Sequence, residues 1–425
     1  MVPKEKRDVL KPQYYDRFRC IMAACEDNCC QNWDITIDKN TYNKYRNIKD
    51  SKFRKKQEAS MKRVRGEKAS DFSYAKFVLS ERGNCPFQTD EGLCEIHRDL
   101  GEEFLCETCK TYPRLTRNMS SEYLELSITM SCPEAVRVAL FNENIMEFSA
   151  EKTEFKRNDP LIRSWFKPME GEEKTQYIEH GWSMREAAIS IMQIRTCPVA
   201  HRLIIIAMML NDAVDLHDGN KADEIPSVLD FYSGGTYGSK FMDEFGDIGP
   251  NEKIELQMSS LLYYIIRGTP DRRSYPAFTG LMERFDRHKE SLGGFFNQID
   301  NATMYYAFIK QATDAHWGSF LAQWEHVLEN YLVNFMFAEI FPLRFHDKGL
   351  NPYHHSLILA EQYAILRMLL CGNYDPEEGF SKQYITKTIS QVAQMNQHSP
   401  KPLEIAENYK TIGIDGPAHL YYLLL

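Results

Sequence analysis

The sequence predicts a mainly α protein: a cysteine-rich metal-binding N-terminal module, residues 1–150, followed by a larger α-helical domain, residues 151–425. Three observations predict it. Nine of the 11 cysteines fall between Cys20 and Cys132. Of the 51 Lys and Arg and the 60 Asp and Glu, residues 1–140 hold 25 and 22, leaving 26 against 38 for the remainder. The first third is thus mildly basic and the rest strongly acidic. Beyond about residue 180 the apolar residues recur at the 3- and 4-residue spacing of helix faces packed on a core. A chain of 425 residues also exceeds the usual size of one packed unit.

Turn-formers such as RGNCPFQTDEGLC (82–94) break up the first third, with helical pieces like TYNKYRNIKDSKFRKKQEASMKRV between them. This part reads as short elements organised around something other than a large core. In WEHVLENYLVNFMFAEIFP, Trp324, Val327, Leu328, Tyr331, Leu332 and Phe335 mark one helix face, and Pro342 halts the helix. SLILAEQYAILRMLLCG forms another, with Ser356 as N-cap and Gly372 as terminator. KIELQMSSLLYYIIRG and FSKQYITKTISQVAQM extend the set. Alternating β-branched runs are scarce, which predicts no substantial sheet.

The opening MVPKEKRDVLKPQYYDRF lacks the apolar middle of a secretory signal, so a cytoplasmic location is expected. LIIIAMML (203–210) is far short of the roughly 20 residues a membrane span needs and reads as a buried helix. A cytoplasmic address disfavours disulfides. The net charge of -9 argues against broad nucleic-acid binding. The run SKFRKKQEASMKRVRGEK (51–68) sets eight Lys or Arg against two Glu. Such runs are mostly solvated helix faces; the functional reading is a docking strip for an acidic surface.

The cysteine spacing is Cys20-x4-Cys25-x3-Cys29-Cys30, Cys85-x8-Cys94, Cys106-x2-Cys109, then Cys132. Soft thiolates at short spacing suit zinc or an iron–sulfur cluster and disfavour hard cations. The adjacent pair Cys29 and Cys30 is unlike a simple zinc finger, whose paired ligands are separated so that both sulfurs converge. The C-x3-C-x2-C motif of radical enzymes fails because Asn32 occupies its third position. Zinc and iron–sulfur both remain open on spacing. Cys197 and Cys371, in apolar surroundings, read as core thiols. His346, His354 and His355, and His201 with His217, lack a helical ligand spacing and read as surface or capped residues. No strand followed by G-x-G marks a nucleotide-type methyl-donor site; YSGGTYGSKF, starting at Tyr232, reads as a loop.

The segments YYDRFRCIMAACEDNCCQNWDITID, GNCPFQTDEGLCEIHRDLGEEFLCETCKTYPR and SCPEA together resemble the flagellin lysine N-methylase family. The cysteine region is also similar to small zinc- or iron-chelating proteins, but ENYLVNFMFAEIFP (329–342) resembles a helical segment that the chelators lack. The resemblance implies methyl transfer from S-adenosylmethionine to lysine ε-amines of flagellin, in a protein carrying an iron–sulfur cluster of 4Fe-4S type, with zinc as the alternative. It implies flagellin as partner, with neither nucleic acid nor membrane. Cys20, Cys25, Cys29, Cys30, Cys85, Cys94, Cys109 and Cys132 carry over as the metal-site cysteines of the family pattern, whereas Cys106 looks like an extra of this sequence. Eight exceed the needs of one four-cysteine cluster; for a single cluster, Cys25, Cys29, Cys94 and Cys109 are the expected ligands. Trp33, Tyr112 and Arg114, beside motif cysteines, are candidates to line the site, with packing and second-sphere support as their plainer roles. The catalytic base is not identifiable. The rival function is a non-catalytic zinc- or iron-chelating protein.

Overall fold

The structure is a computed structural model that describes residues 4–27, 29–30, 35–66, 69–81, 83–119, 123–156, 178–234, 251–267, 275–292, 299–344, 350–397, 407–411, 413 and 416–424. The described chain divides into two compact units. The first takes residues from 4–135 and 149–156, the second those from 136–148 and from 178 onward.

The first unit begins with β1 (Lys4–Pro12), β2 (Thr36–Ile37), α1 (Lys39–Arg46), α2 (Ser51–Ser60), β3 (Met61–Arg63) and β4 (Ala75–Phe77). It continues through α3 (Glu95–Leu100), α4 (Glu107–Thr111), β5 (Arg114–Asn118) and β6 (Tyr123–Ile128). α5 (Pro133–Leu140) starts in this unit and ends in the second, and the chain then returns as β7 (Phe148–Lys156). A four-stranded sheet runs β5-β6-β1-β7, with β1 parallel to β6 and β5 antiparallel to it. This sheet departs from the sequence expectation for two reasons. The central strand β1, KEKRDVLKP, is dominated by charge, and β6, YLELSI, is buried along almost its whole length, so neither shows a clean period of two. The charge on β1 is accommodated: buried Lys11 bridges Asp16 at 2.7 Å and Glu151 at 2.8 Å.

A second, antiparallel sheet of order β2-β4-β3 packs with α1 to α4. The helical piece expected across this region is divided because Asp50 caps a fresh helix, accepting from the Phe53 amide, and Met61 turns extended. Part of its basic run is committed to the fold, since Lys56 pairs with Glu95 and Arg63 stacks 3.3 Å above the Tyr74 ring.

The second unit is helical: α6 (Ile178–Met192), α7 (Val199–Asp218), α8 (Ile225–Ser233), α9 (Glu252–Arg267), α10 (Pro276–Ser291), α11 (Asn301–Ala338), α12 (Pro352–Gly372), α13 (Lys382–Gln397) and α14 (Pro417–Leu424). LIIIAMML lies inside α7 and is buried except for Met208. No helix among the described residues is long and apolar enough to cross a membrane. α12 is the centre of the unit: every residue except His354 and Arg367 is buried, against α7, α11, α13 and α14. Its terminal Gly372 lets Leu281 of α10 approach where any Cβ would collide.

The N-cap of α12 is Asn351, one turn before Ser356. Its side chain accepts from the His354 amide at 3.0 Å while His354 Nδ1 accepts from the Asn351 amide at 3.2 Å. With Pro352 in the first turn, this capping box fixes the start, and Ser356 is left internal. Asn351→Ala is expected to lower stability by about 1 kcal/mol, read as a reduced urea midpoint at constant slope. An unchanged midpoint would show that the box contributes nothing.

Charge is buried here too. Glu329 of α11, with 1% of its side chain exposed, accepts from Arg195 at 2.8 Å and from Arg202 of α7 at 2.8 Å. Arg202, 2% exposed, also donates to the backbone carbonyls of Cys197 and Met192. The network ties the end of α6, the following turn and α7 to α11.

Candidate thiol centre

Short elements of the first unit deliver the thiols to one place. Cys94 is the N-cap of α3, Cys106 the N-cap of α4, and Cys109 rides on α4. α4 is fixed from two sides: Asp38 accepts from both the Thr41 and Glu107 amides, and Thr36 on β2 shares a 2.8 Å hydroxyl hydrogen bond with Thr108. The amide of Cys85 donates to the carbonyl of Cys30 at 2.8 Å, joining the first cysteine segment to the second. As a result Cys30, Cys85, Cys94, Cys106 and Cys109 share one apolar cluster with Ile37, Phe77 and Phe87.

All eleven cysteines are free thiols. In the cluster, Cys109 is held well above the ordinary thiol range by a hydrogen bond to Cys106 and by burial. Burial raises Cys94 and pushes Cys85 up to about 12. A second group lies in the same unit: Cys132, pushed up to about 12 by burial, is close enough to feel Cys25 and Cys29. Cys29 is itself raised by a hydrogen bond to Cys30. Cys20 is exposed. Buried neighbouring thiols resist ionising together, and a bound cation is what relieves that repulsion.

Three of the four expected ligands stand together: Cys94 and Cys109 lie with Cys30, Cys85 and Cys106, and Cys29, bonded to Cys30, is close enough to raise Cys94. Cys29 also reaches Cys132, beside which Cys25 lies. Cys106, set aside in the sequence as an extra, is 1% exposed and bonded to Cys109. Its C-x2-C spacing was the signal. Tyr45, buried with its phenol beside Cys106, Cys109 and Cys94, had none. The donor chemistry suits a soft metal or an iron–sulfur cluster. Among the described residues, however, no three His, Cys, Asp or Glu side chains already stand so as to hold a metal ion.

The other candidates separate. Tyr112 is buried near Cys132 and Cys29, its hydroxyl 3.1 Å from that of Ser131; burial holds the phenol well above its usual range, so it stays protonated. Arg114 sits over the Phe18 ring at 5.1 Å. Trp33 and His346 lie outside the described residues. His355 is buried and bonded to the Asn351 carbonyl, and His217 pairs with Asp218.

Burial holds His201 of α7 and His326 of α11 below the ordinary imidazole range. Both are neutral in the fold, while the unfolded chain takes up their protons near pH ~6.5. Their contribution is complete above that pH and is lost as pH falls below it. The urea midpoint of the wild type is expected to fall more steeply between pH 7.5 and 5.5 than that of His326→Asn; equal slopes would refute this.

Comparison with known proteins supplies the rest. A family model described as the FliB lysine N-methylase C-terminal domain matches residues 185–423. The flagellar biosynthetic protein FliU of Salmonella muenchen is 31% identical over 159 residues, 37% of this chain and 90% of that protein. Lysine-N-methylases of Salmonella typhimurium and Salmonella choleraesuis are 33% and 32% identical over 146 residues. Those two matches span 34% of this chain but only 35% of each methylase. No solved structure matches.

Proposed function

Because the chain belongs to the FliB lysine N-methylase family, we propose that it is a protein-lysine N-methyltransferase with S-adenosylmethionine as donor, flagellin as substrate and an iron–sulfur cluster on its N-terminal cysteines. The observation that carries the reading is the family match over 185–423, joined to the gathering of five thiols in the first unit. Cys30, Cys94, Cys106 and Cys109 are the residues that would hold the cluster, with Cys85 packed beside them. With only three of these four thiols ligating, the fourth iron would supply an open coordination position for the donor's amino and carboxylate groups.

What the chain must do follows from the substrate. A lysine ammonium has a reference pKa of ~10.4, so under about a thousandth is nucleophilic at pH 7. The site must desolvate the amine or accept its proton. Protonated Tyr112 serves as a hydrogen-bond partner rather than a base. An amine held against the apolar side chains around the thiol cluster would be shielded from water, which would favour its neutral form.

The test is incubation of anaerobically purified protein with flagellin and methyl-labelled S-adenosylmethionine, read by mass spectrometry as Nε-methyllysine. Absence of label with an intact cluster would defeat the proposal. Metal binding without transfer would support the rival reading, a non-catalytic zinc or iron chelator, which the thiol gathering alone would also satisfy.

A further inference from the structure

Between the C-terminal half of α7 and α8 lies a cleft of about 700 Å³. Asp212, Asp215 and Leu216 form one wall, at the i, i+3, i+4 spacing that puts them on one side of α7. Val228, Phe231 and Tyr232 form the other. Lys221 and Glu224, which line the same cleft, pair with each other at 3.6 Å.

The two aspartates differ. Asp212 accepts from the Tyr232 hydroxyl at 2.6 Å and Asp215 from the Asn211 amide at 3.1 Å. Both donors are neutral groups, and among the described residues no basic side chain pairs with either carboxylate. Directly beside them Phe231 is 57% exposed, its ring edge-on to Tyr232 with centroids 5.3 Å apart. Two carboxylates that no described basic side chain pairs with, an exposed aromatic face and an aliphatic strip match an ammonium on a methylene stem. The same charges repel phosphate and acidic peptides.

We propose that this cleft seats a lysine side chain of the protein substrate, the ammonium between Asp212 and Asp215 and the methylenes along Phe231 and Val228. The proposal rests on the protein-lysine methyltransferase reading for its choice of substrate. It makes the cleft a docking site for the substrate, distinct from the thiol cluster.

Fluorescence anisotropy with the full chain tests it, using a fluorescein-labelled nonapeptide of three lysines among serines and glycines, and its Nε-acetylated counterpart. Asp212→Asn/Asp215→Asn is expected to weaken binding at least about tenfold and Phe231→Ser about threefold. The acetylated peptide is expected not to bind. The charge-matched Glu283→Gln/Glu290→Gln, on an exposed face of α10, is expected to bind as wild type. Wild-type affinity in the aspartate double variant, equal binding of the acetylated peptide, or equal loss in the charge-matched control overturns the proposal. Methyl transfer to flagellin is assayed separately. Carboxylate-dependent binding without any transfer leaves the cleft standing and removes the enzyme reading; transfer with unchanged KM in the double variant does the reverse.

Discussion

Cys94→Ser and Cys109→Ser are each expected to strip the purified protein of iron and sulfide and to eliminate methyl transfer, while Cys371→Ala leaves both intact. A thiolate ligand supplies charge and soft donor character that a hydroxyl does not. Loss of even an outer-sphere partner costs about 10- to 100-fold in metal retention, so loss of a ligand costs at least that. Cys371 is 2% exposed at the C-terminal end of α12 and belongs to the helical core, which makes it the control. Cys106→Ser separates two readings of the thiols. By family resemblance Cys106 is dispensable; by its burial and its bond to Cys109 it should behave like Cys94. Iron content near wild type in both Cys94→Ser and Cys109→Ser would remove this cluster from consideration.

Glu329→Gln is expected to lower the stability of the helical unit by about 3–5 kcal/mol. The amide fills the same space but leaves Arg202, 2% exposed, with only backbone carbonyls to balance a full positive charge. Breaking one side of a buried pair is costly because the remaining ion stays desolvated. Arg195, at 39% side-chain exposure, can return to water, so Arg195→Ala should cost about 1 kcal/mol or less. Domains of this kind hold only about 5–15 kcal/mol in total, so the Gln variant should be partly unfolded at moderate urea. Replacing both partners, Glu329→Leu with Arg202→Met, should recover most of the loss. A urea midpoint for Glu329→Gln within about 1 kcal/mol of wild type would show that the network is not stabilising.

Helices were legible where a face repeated over many turns, as in α9, α11 and α13. α12 was legible for its apolar length, yet its start was misplaced: a capping box depends on how Asn351 and His354 meet, and Ser356 has the same local preference. The four-stranded sheet was illegible because its pairing is long-range and its central strand is charged. The thiol cluster was legible as a composition and only partly as a grouping. Spacing brings Cys106 near Cys109, but the neighbourhood of Cys30 and Cys85 comes from a backbone hydrogen bond across more than fifty residues. Glu329, Arg195 and Arg202 are separate in sequence and carry no motif at all.

The parallel pairing of β1 with β6 has a consequence for how the thiols are organised. Leu10 lies opposite Glu125, so the chain between them, carrying eight of the nine N-terminal cysteines, is a loop tethered at both ends by strand pairing. The sheet acts on that loop as a noncovalent clasp. It restricts the conformations open to the thiols before any metal arrives, and it cannot close until the residues of β6 have been synthesised. Substitutions that loosen the clasp, such as proline at Val9 in the paired stretch, would then act on metal retention without touching a cysteine.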